Sequence, residues 1–176
     1  MRKPGHLRRT RGLVLLLLSA SALWLVGCLY SFTGGGLPPG IKTVAVLPFD
    51  NLTPEPTLTQ EITRAVREAV ESRLGLRAAG EEQADAIVKG SITRYEPDVP
   101  IAFTGQQTTN QTTVTKRMVQ ITVSVRIFDQ KQNKVLWERQ GMTVQGEYDP
   151  NQEAKGRKLA LEKLINDIVD GAQSQW

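Results

Sequence analysis

The chain has 176 residues, with 22 Lys and Arg, 18 Asp and Glu, one histidine and one cysteine, a length that allows one domain or one domain plus a tail. A single cysteine excludes an internal disulfide and a thiolate cluster for zinc or iron–sulfur, and the single histidine, His6, leaves the body of the chain without an imidazole base. The formal charge of +4 comes from Arg2, Lys3, Arg8, Arg9 and Arg11; beyond residue 27 the chain carries 17 basic against 18 acidic residues, a net −1, which gives no general pull toward nucleic acid.

Behind the basic start, Gly12 to Val26 (GLVLLLLSASALWLV) is apolar for 15 residues. A span across hydrocarbon about 30 Å thick needs about 20. A basic n-region, a short apolar h-region and small residues after it describe an export signal, and the upstream charges argue against a buried core helix. Leu25-Val26-Gly27-Cys28 resembles the lipobox of bacterial lipoproteins. That resemblance implies cleavage between Gly27 and Cys28, a diacylglycerol thioether on the Cys28 sulfur and an acylated new amino terminus. Residues 1–27 are then a cleaved lipoprotein signal peptide and residues 28–40 a lipidated, flexible tether. Each buried CH₂ gives about 0.8 kcal/mol, so two or more chains anchor stably where one is marginal. Leu29 stands where an Asp would mark inner-membrane retention in lipoproteins of some bacteria, which points to the outer membrane, facing the periplasm. Gly34 to Gly36 loosen the tether, and Pro38-Pro39-Gly40 turn it toward the domain. Tyr30 and Phe32 pack on the domain or rest near headgroups; the sequence leaves both open.

Residues 41–176 read as one domain. Ile41 to Phe49 is a strand with Val44 and Val46 on one face and Ile41, Thr43, Ala45, Leu47 and Phe49 on the other. Asp50 to Pro56 is a loop. Thr57 opens a helix with Gln60 as capping-box partner. Its apolar stripe is Leu58, Ile62, Ala65, Val66, Ala69, Val70 and Leu74, and Gly75 ends it. Leu76 to Ala79 is a short edge strand, and Glu81 to Ala84 a turn or a single helical turn. Ala86 to Glu96 is a strand whose Ala86, Val88, Gly90 and Ile92 share a face, with Gly90 admitting a helix closely. Thr104 to Thr115, rich in Thr and Gln, reads as a hairpin loop, either disordered or facing a partner.

Val119 to Ile127 is the clearest strand. Val119, Ile121, Val123, Val125 and Ile127 alternate with Gln120, Thr122, Ser124 and Arg126, which signifies a sheet packed on one side only. Asp129 to Lys134 turns the chain, and the return strand puts Val135 and Trp137 on one face before a bulge at Gly141. Asp149 is the N-cap and Pro150 the first residue of a last helix, with Gln152 at its third position. Its stripe is Ala154, Leu161, Leu164, Ile165, Ile168 and Ala172, and it frays from Gln173 to Trp176. The expected fold is an α+β two-layer sandwich: two amphipathic helices packed on one face of a mixed, mostly antiparallel β-sheet.

Nothing in this pattern is catalytic. Cys28 is committed to lipid, Gly34-Gly35-Gly36 has no following Lys-Ser or Lys-Thr for a phosphate loop, and the acid pairs Asp50/Glu55 and Glu81/Glu82 read as caps and solvated charge. No metal and no cofactor are expected. The basic groups Lys116 with Arg117, and Lys155 with Arg157 and Lys158, are candidate contacts for a partner or an anionic lipid phosphate.

The chain resembles the LptE family of lipopolysaccharide-assembly lipoproteins. The resemblance is carried by Cys28, Tyr30, Phe32, Leu37-Pro38, Ile41 to Val46, and Phe49, Asn51 and Thr53 near Glu55-Pro56. It continues through Ala84-Asp85-Ala86 with Gly90 and Ile92, Val119 to Phe128, Val135-Leu136-Trp137, and Gly146 to Asp149. It implies an outer-membrane lipoprotein with no catalytic group. Such a protein sits in or beneath the large LptD barrel, helps that barrel assemble, and serves lipopolysaccharide export, with lipopolysaccharide itself as a further ligand. The alternative is a periplasm-facing binding module acting on peptidoglycan synthases or a secretion complex.

Overall fold

The computed structural model describes residues 37–106 and 111–174, with side chains described outside 102–114. Gly27, Cys28 and the tether as far as residue 36 lie outside the described residues. The elements are β1 (Thr43–Val46), β2 (Asp50–Asn51), α1 (Thr57–Ser72), β3 (Arg77–Ala78), β4 (Ala86–Gln106), β5 (Gln111–Asp129), β6 (Lys134–Tyr148) and α2 (Glu153–Gln173). They make a six-stranded sheet in the order β3-β1-β4-β5-β6, with β2 also paired to β4. β1 runs parallel to β3 and β4, whereas β5 pairs antiparallel with β4 on one side and β6 on the other. The fold is α+β, as expected, with both helices against one face.

The alternating row of β5 organises the core. Val119, Ile121, Val123, Val125 and Ile127 are all essentially inaccessible. They meet Leu58, Ile62, Val66 and Val70 from α1 and Ala160, Leu164, Ile168 and Ala172 from α2 in one cluster. On the opposite face, Ala45, Ala84 and Ile87 form a small second cluster with Leu47 and Ala79 beside it, so that face is not wholly open. Phe49 closes one end of the core: its backbone N–H donates to the buried Thr63 hydroxyl at 3.1 Å, and its ring covers Gly90. A Cβ at Gly90 would lie 2.1 Å from the Phe49 ring. The small residue admits an aromatic from the strand end, not a helix.

Helix α2 approaches β6 through glycines. A Cβ on Gly146 would lie 1.9 Å from the carbonyl oxygen of Gly156, and one on Gly156 would lie 2.5 Å from the Tyr148 ring. At the other end of α2, a Cβ on Gly171 would lie 2.5 Å from the Trp137 indole. Backbone therefore meets backbone at the start of α2, and an indole fills the gap at its end.

Several boundaries differ from the sequence expectation. β1 is confined to Thr43–Val46, and Asp50–Asn51 is a short strand, not loop. The Thr57 capping box does not form: the Thr57 hydroxyl donates to Glu55 Oε1 at 2.5 Å, and the N-cap position is Pro56. Helix α1 ends at Ser72, and Gly75 adopts φ 67 while Leu76 N–H returns to the Val70 carbonyl at 3.2 Å, a left-handed stop. Of the 104–115 stretch, residues 104–106 and 111–115 are strand, with Gln106 opposite Gln111, and residues 107–110 lie outside the described residues. A register shift at Leu136 buries both Leu136 and Trp137 and leaves Val135 exposed. The bulge at Gly141 is present, with φ 62 and its N–H on the Ser124 hydroxyl at 3.1 Å. Helix α2 starts at Glu153 with Gln152 as N-cap; Asp149 instead forms an ion pair with Lys116, and Ala154 is exposed.

Asp85 pins the start of the sheet. Its carboxylate accepts the Lys42 N–H at 2.8 Å and the Thr43 N–H at 2.9 Å, and meets Lys131 Nζ at 2.5 Å. Its own N–H donates to the Thr43 hydroxyl at 2.9 Å. One side chain thus joins the entry to β1, the entry to β4 and the turn after β5. The Lys131 ammonium, then the Lys42 and Thr43 donors, hold its carboxyl far below the ordinary carboxylate range.

Two predictions follow from this packing and this pin. Gly146→Ala or Gly156→Ala must push α2 off β6, costing about 1–3 kcal/mol or more; a lowered urea midpoint with unchanged slope would measure it. Because the Asp85 carboxyl is depressed on folding, the stability it contributes is fully present above the unfolded value, about 3.9. It is lost as pH falls from there through the lowered folded value. Asp85→Asn should therefore be less stable than the parent at pH 7. In urea titrations across pH 7 to 2 the gap should narrow below about pH 4, where the unfolded carboxyl protonates.

Candidate partner interface

The face of the sheet turned away from the helices is a ladder of hydroxyls, amides and paired charges. Lys89 stands opposite Arg126, and Ser91 opposite Ser124. Thr122 stands opposite Thr143, and Gln120 opposite Gln145. The Thr122 and Thr143 hydroxyls are 3.0 Å apart, the Gln145 amide donates to Gln120 at 3.0 Å, and Arg126 donates to Glu138 at 2.8 Å. Around Lys89, Ser91, Ser124 and Gln140 the face dips into a shallow basin of about 260 Å³. The alternating polar residues of β5 and β6 produce this surface directly, since the apolar row Val119 to Ile127 of β5, and Met142 and Val144 of β6, are turned to the core.

The helical side has a different character. Arg157 of α2 reaches Glu61 near the start of α1, and Arg73 at the end of α1 reaches Asn166 and Asp170 of α2. The two helices therefore run in the same direction. Between them lies a groove of about 400 Å³ floored by Ala65, Leu161 and Ile165.

The expected contact residues are distributed, not gathered. Lys116 pairs with Asp149 at 3.0 Å, and the next residue, Arg117, turns to the other face and pairs with Asp98. The Asp98 carboxylate also lies 3.4 Å from the Tyr148 hydroxyl, which donates to the Pro97 carbonyl at 2.7 Å. Lys155 and Lys158 point to solvent, Lys158 beside Glu162 at 4.0 Å. Arg157 turns inward between Glu153 at 3.5 Å and Glu61 at 3.7 Å, with its guanidinium 5.8 Å from the centre of the Tyr95 ring.

Tyr95 and Asp85 were not singled out as individual positions by sequence reasoning. The Tyr95 hydroxyl donates to Glu153 at 2.8 Å, and burial first, then that bond, pushes its ionisation well above the usual tyrosine value. Tyr95, Glu153, Arg157 and Glu61 together tie β4, α2 and α1. The readable signal for Asp85 was a lone acid inside an apolar run, Ala84-Asp85-Ala86-Ile87. Tyr95 carried no comparable signal, because its partners Glu153 and Arg157 both lie on α2, 58 and 62 residues away in the chain.

The acid pairs do not converge on a reactive geometry. Glu55 is occupied with Thr57, whose hydrogen bonds hold its carboxyl below the ordinary range, and Glu81 pairs with Lys89 at 4.0 Å. Among the described residues no cluster of His, Cys, Asp and Glu could hold a metal, and no helix is long and apolar enough to cross a membrane.

Comparison with solved structures finds bacterial proteins to which this chain is similar. Protein XCC0632 from Xanthomonas campestris superposes with a TM-score of 0.50 at 12% identity, covering 81% of this chain and 91% of its own. A PelC dodecamer from Paraburkholderia phytofirmans gives 0.49 at 18% identity, covering 80% and 96%. Lipoprotein GNA1162 from Neisseria meningitidis gives 0.44 at 15% identity, covering 73% and 96%. No curated protein matches the chain. The family model described as LptE, lipopolysaccharide-assembly, matches residues 41–174, nearly the whole described domain and every element of its sheet. By that match over most of its length the chain belongs to the LptE family, and its role is in lipopolysaccharide assembly.

Proposed function

We propose that this protein is an outer-membrane lipoprotein, anchored through lipid on Cys28 after cleavage at Gly27 and facing the periplasm, that binds an LptD-type barrel as plug and assembly partner. The observation that carries the reading is the continuous hydroxyl and amide face of β4, β5 and β6, rigidly backed by the core. The interior of a large outer-membrane barrel is polar, and a plug for it must present hydrogen-bonding groups while keeping its own shape. Family membership supplies the process; the polar face supplies the fit. Lys116, Lys155 and Lys158 are half-exposed or exposed cations that suit the rim of such a contact or a lipid phosphate. Binding of this kind needs no reacting group, cofactor or metal from the chain.

Affinity capture of the lipidated chain, co-expressed with the LptD-type barrel of the same genome, should recover that barrel. Depletion should leave the barrel misassembled and surface lipopolysaccharide reduced. Recovery of cell-wall synthases alone would reject the reading in favour of a module acting on peptidoglycan. Cys28→Ser should remove the protein from the outer-membrane fraction; mass analysis of the exported wild type with Cys28 bare would remove the anchor from the account.

A further inference from the structure

At one end the sheet runs on as a ribbon of two strands. β6 leaves β5 at its last pair, Tyr148 opposite Arg117, and β2 leaves β4 at Asn51 opposite Ile92. β4 and β5 stay paired as far as Gln106 opposite Gln111. Gln111 to Lys116 of β5 therefore have, among the described residues, a strand on one side only. That leaves an open edge about 20 Å long. Such an edge offers a row of main-chain N–H and C=O groups, and a ribbon of two strands is marginal in water until further strands join it. The chemistry that fits the edge is another β-strand.

The two edges of the ribbon are not alike. Along β4, Pro97 and Pro100 remove main-chain donors, Asp98 adds a charge, and the register shifts between Glu96 and Val99 and again between Pro100 and Phe103. Bulges, prolines and charges are what keep an edge strand from pairing. Further out the pairing is regular, from Phe103 opposite Val114 to Gln106 opposite Gln111, and there Gly105 weakens the β4 side. The β5 side reads Gln111-Thr112-Thr113-Val114-Thr115, with neither proline nor glycine and with four β-branched residues in a row, which favours extended backbone. From Gln111 to Val114 the β5 edge carries none of these guards.

Charge decides which strand meets it. Asp98 and Lys116 bound 17 residues without a charge, the longest such run beyond the tether. Two identical strands paired antiparallel about a two-fold axis set each residue against one close to it in sequence. Any charge near the axis then meets a like charge, which is destabilising. A strand that pairs with itself must be neutral, whereas one that meets a different strand gains from opposite charges. A closed barrel has no strand edge to offer. We propose that Gln111 to Val114 of β5 pairs antiparallel with the same segment of a second copy, continuing the sheet across a two-fold axis. The guarded β4 edge then stops the assembly at two copies. Four residues pair weakly by themselves, and the lipid proposed on Cys28 holds the copies in one plane and raises their effective concentration. The inference goes beyond the barrel reading and uses a different surface.

The test uses the full lipidated chain in its own membrane, oxidised with copper phenanthroline, with the parent chain as background. A cysteine placed singly at each position from Gln111 to Thr115 should give a disulfide-linked dimer of this chain, strongest beside the axis. Thr122→Cys, on a stretch of β5 with strands on both sides, should give at least fivefold less. Thr112→Lys added to Thr113→Cys should lower the dimer at least tenfold by setting like charges together, while Thr112→Val added to it should leave the yield unchanged. Equal yields with Thr112→Lys and Thr112→Val would overturn the edge pairing. So would crosslinks from positions 111–115 only to another protein, or no crosslink above background.

Discussion

The fold depends on the burial of one side of β5. Five β-branched side chains in strict alternation, Val119 through Ile127, are shut off from water by two helices that reach them from the same side. Burying each such side chain is worth about 1.5–3 kcal/mol relative to exposure, so the row sets where the helices lie. It also sets what remains. Since neighbouring residues on a strand point to opposite faces, placing the valines and isoleucines inward commits Gln120, Thr122, Ser124 and Arg126 outward. The polar face is a geometric consequence of the core, not a separate feature added to it.

The approach of α2 to the sheet is set by what is missing. Gly146 and Gly156 let backbone lie against backbone, and Gly171 makes room for the Trp137 indole. This keeps α2 close along β6 while leaving the helix's outer face to Lys155, Lys158, Glu162 and Lys163. Electrostatic ties then fix what packing leaves free. Asp85 joins three chain segments at one end of the sheet, and the Tyr95, Glu153, Arg157 and Glu61 group joins both helices to β4 near the other. The more exposed pairs of this kind contribute little to bulk stability and serve mainly to fix relative position, whereas the buried Asp85 adds to stability as well.

Much of this was legible from the residues. Period-two alternation exposed β5, helical spacing exposed both helices, and Gly141 announced its bulge, because each signal is local and repeats. The expectations that missed were decided by partners distant in sequence. Gly90 read as room for a helix, but the ring of Phe49, 41 positions earlier in the numbering, fills it. Asp149 read as an N-cap because Asp-Pro favours one, yet the Lys116 ammonium on β5 takes the carboxylate. Val135 and Trp137 fit a strict alternation that a one-residue shift opposite Ile127 and Phe128 breaks. The Thr and Gln of the 104–115 stretch gave no apolar period, yet β4 and β5 stay paired as far as Gln106 opposite Gln111, because backbone hydrogen bonds and not side-chain pattern make a ladder. At the candidate interface, the basic residues were found by composition, but their scattering over two faces and a helix follows from strand parity and helix phase that only the register reveals.

The polar face also limits how it can bind. Thr122 with Thr143, Gln120 with Gln145 and Arg126 with Glu138 already satisfy one another. A partner laid on them exchanges one set of hydrogen bonds for another, and the net gain from each such exchange is only about 0.5–1.5 kcal/mol. Against the polar lumen proposed above, such a surface would give fit and register without strong affinity. Tight association then has to come from a few apolar side chains that enter dry pockets, or from a tether that raises effective concentration. A lipid on Cys28, as proposed above, would serve the second purpose. In that proposed division of labour the ladder would orient the protein, while the lipid would hold it.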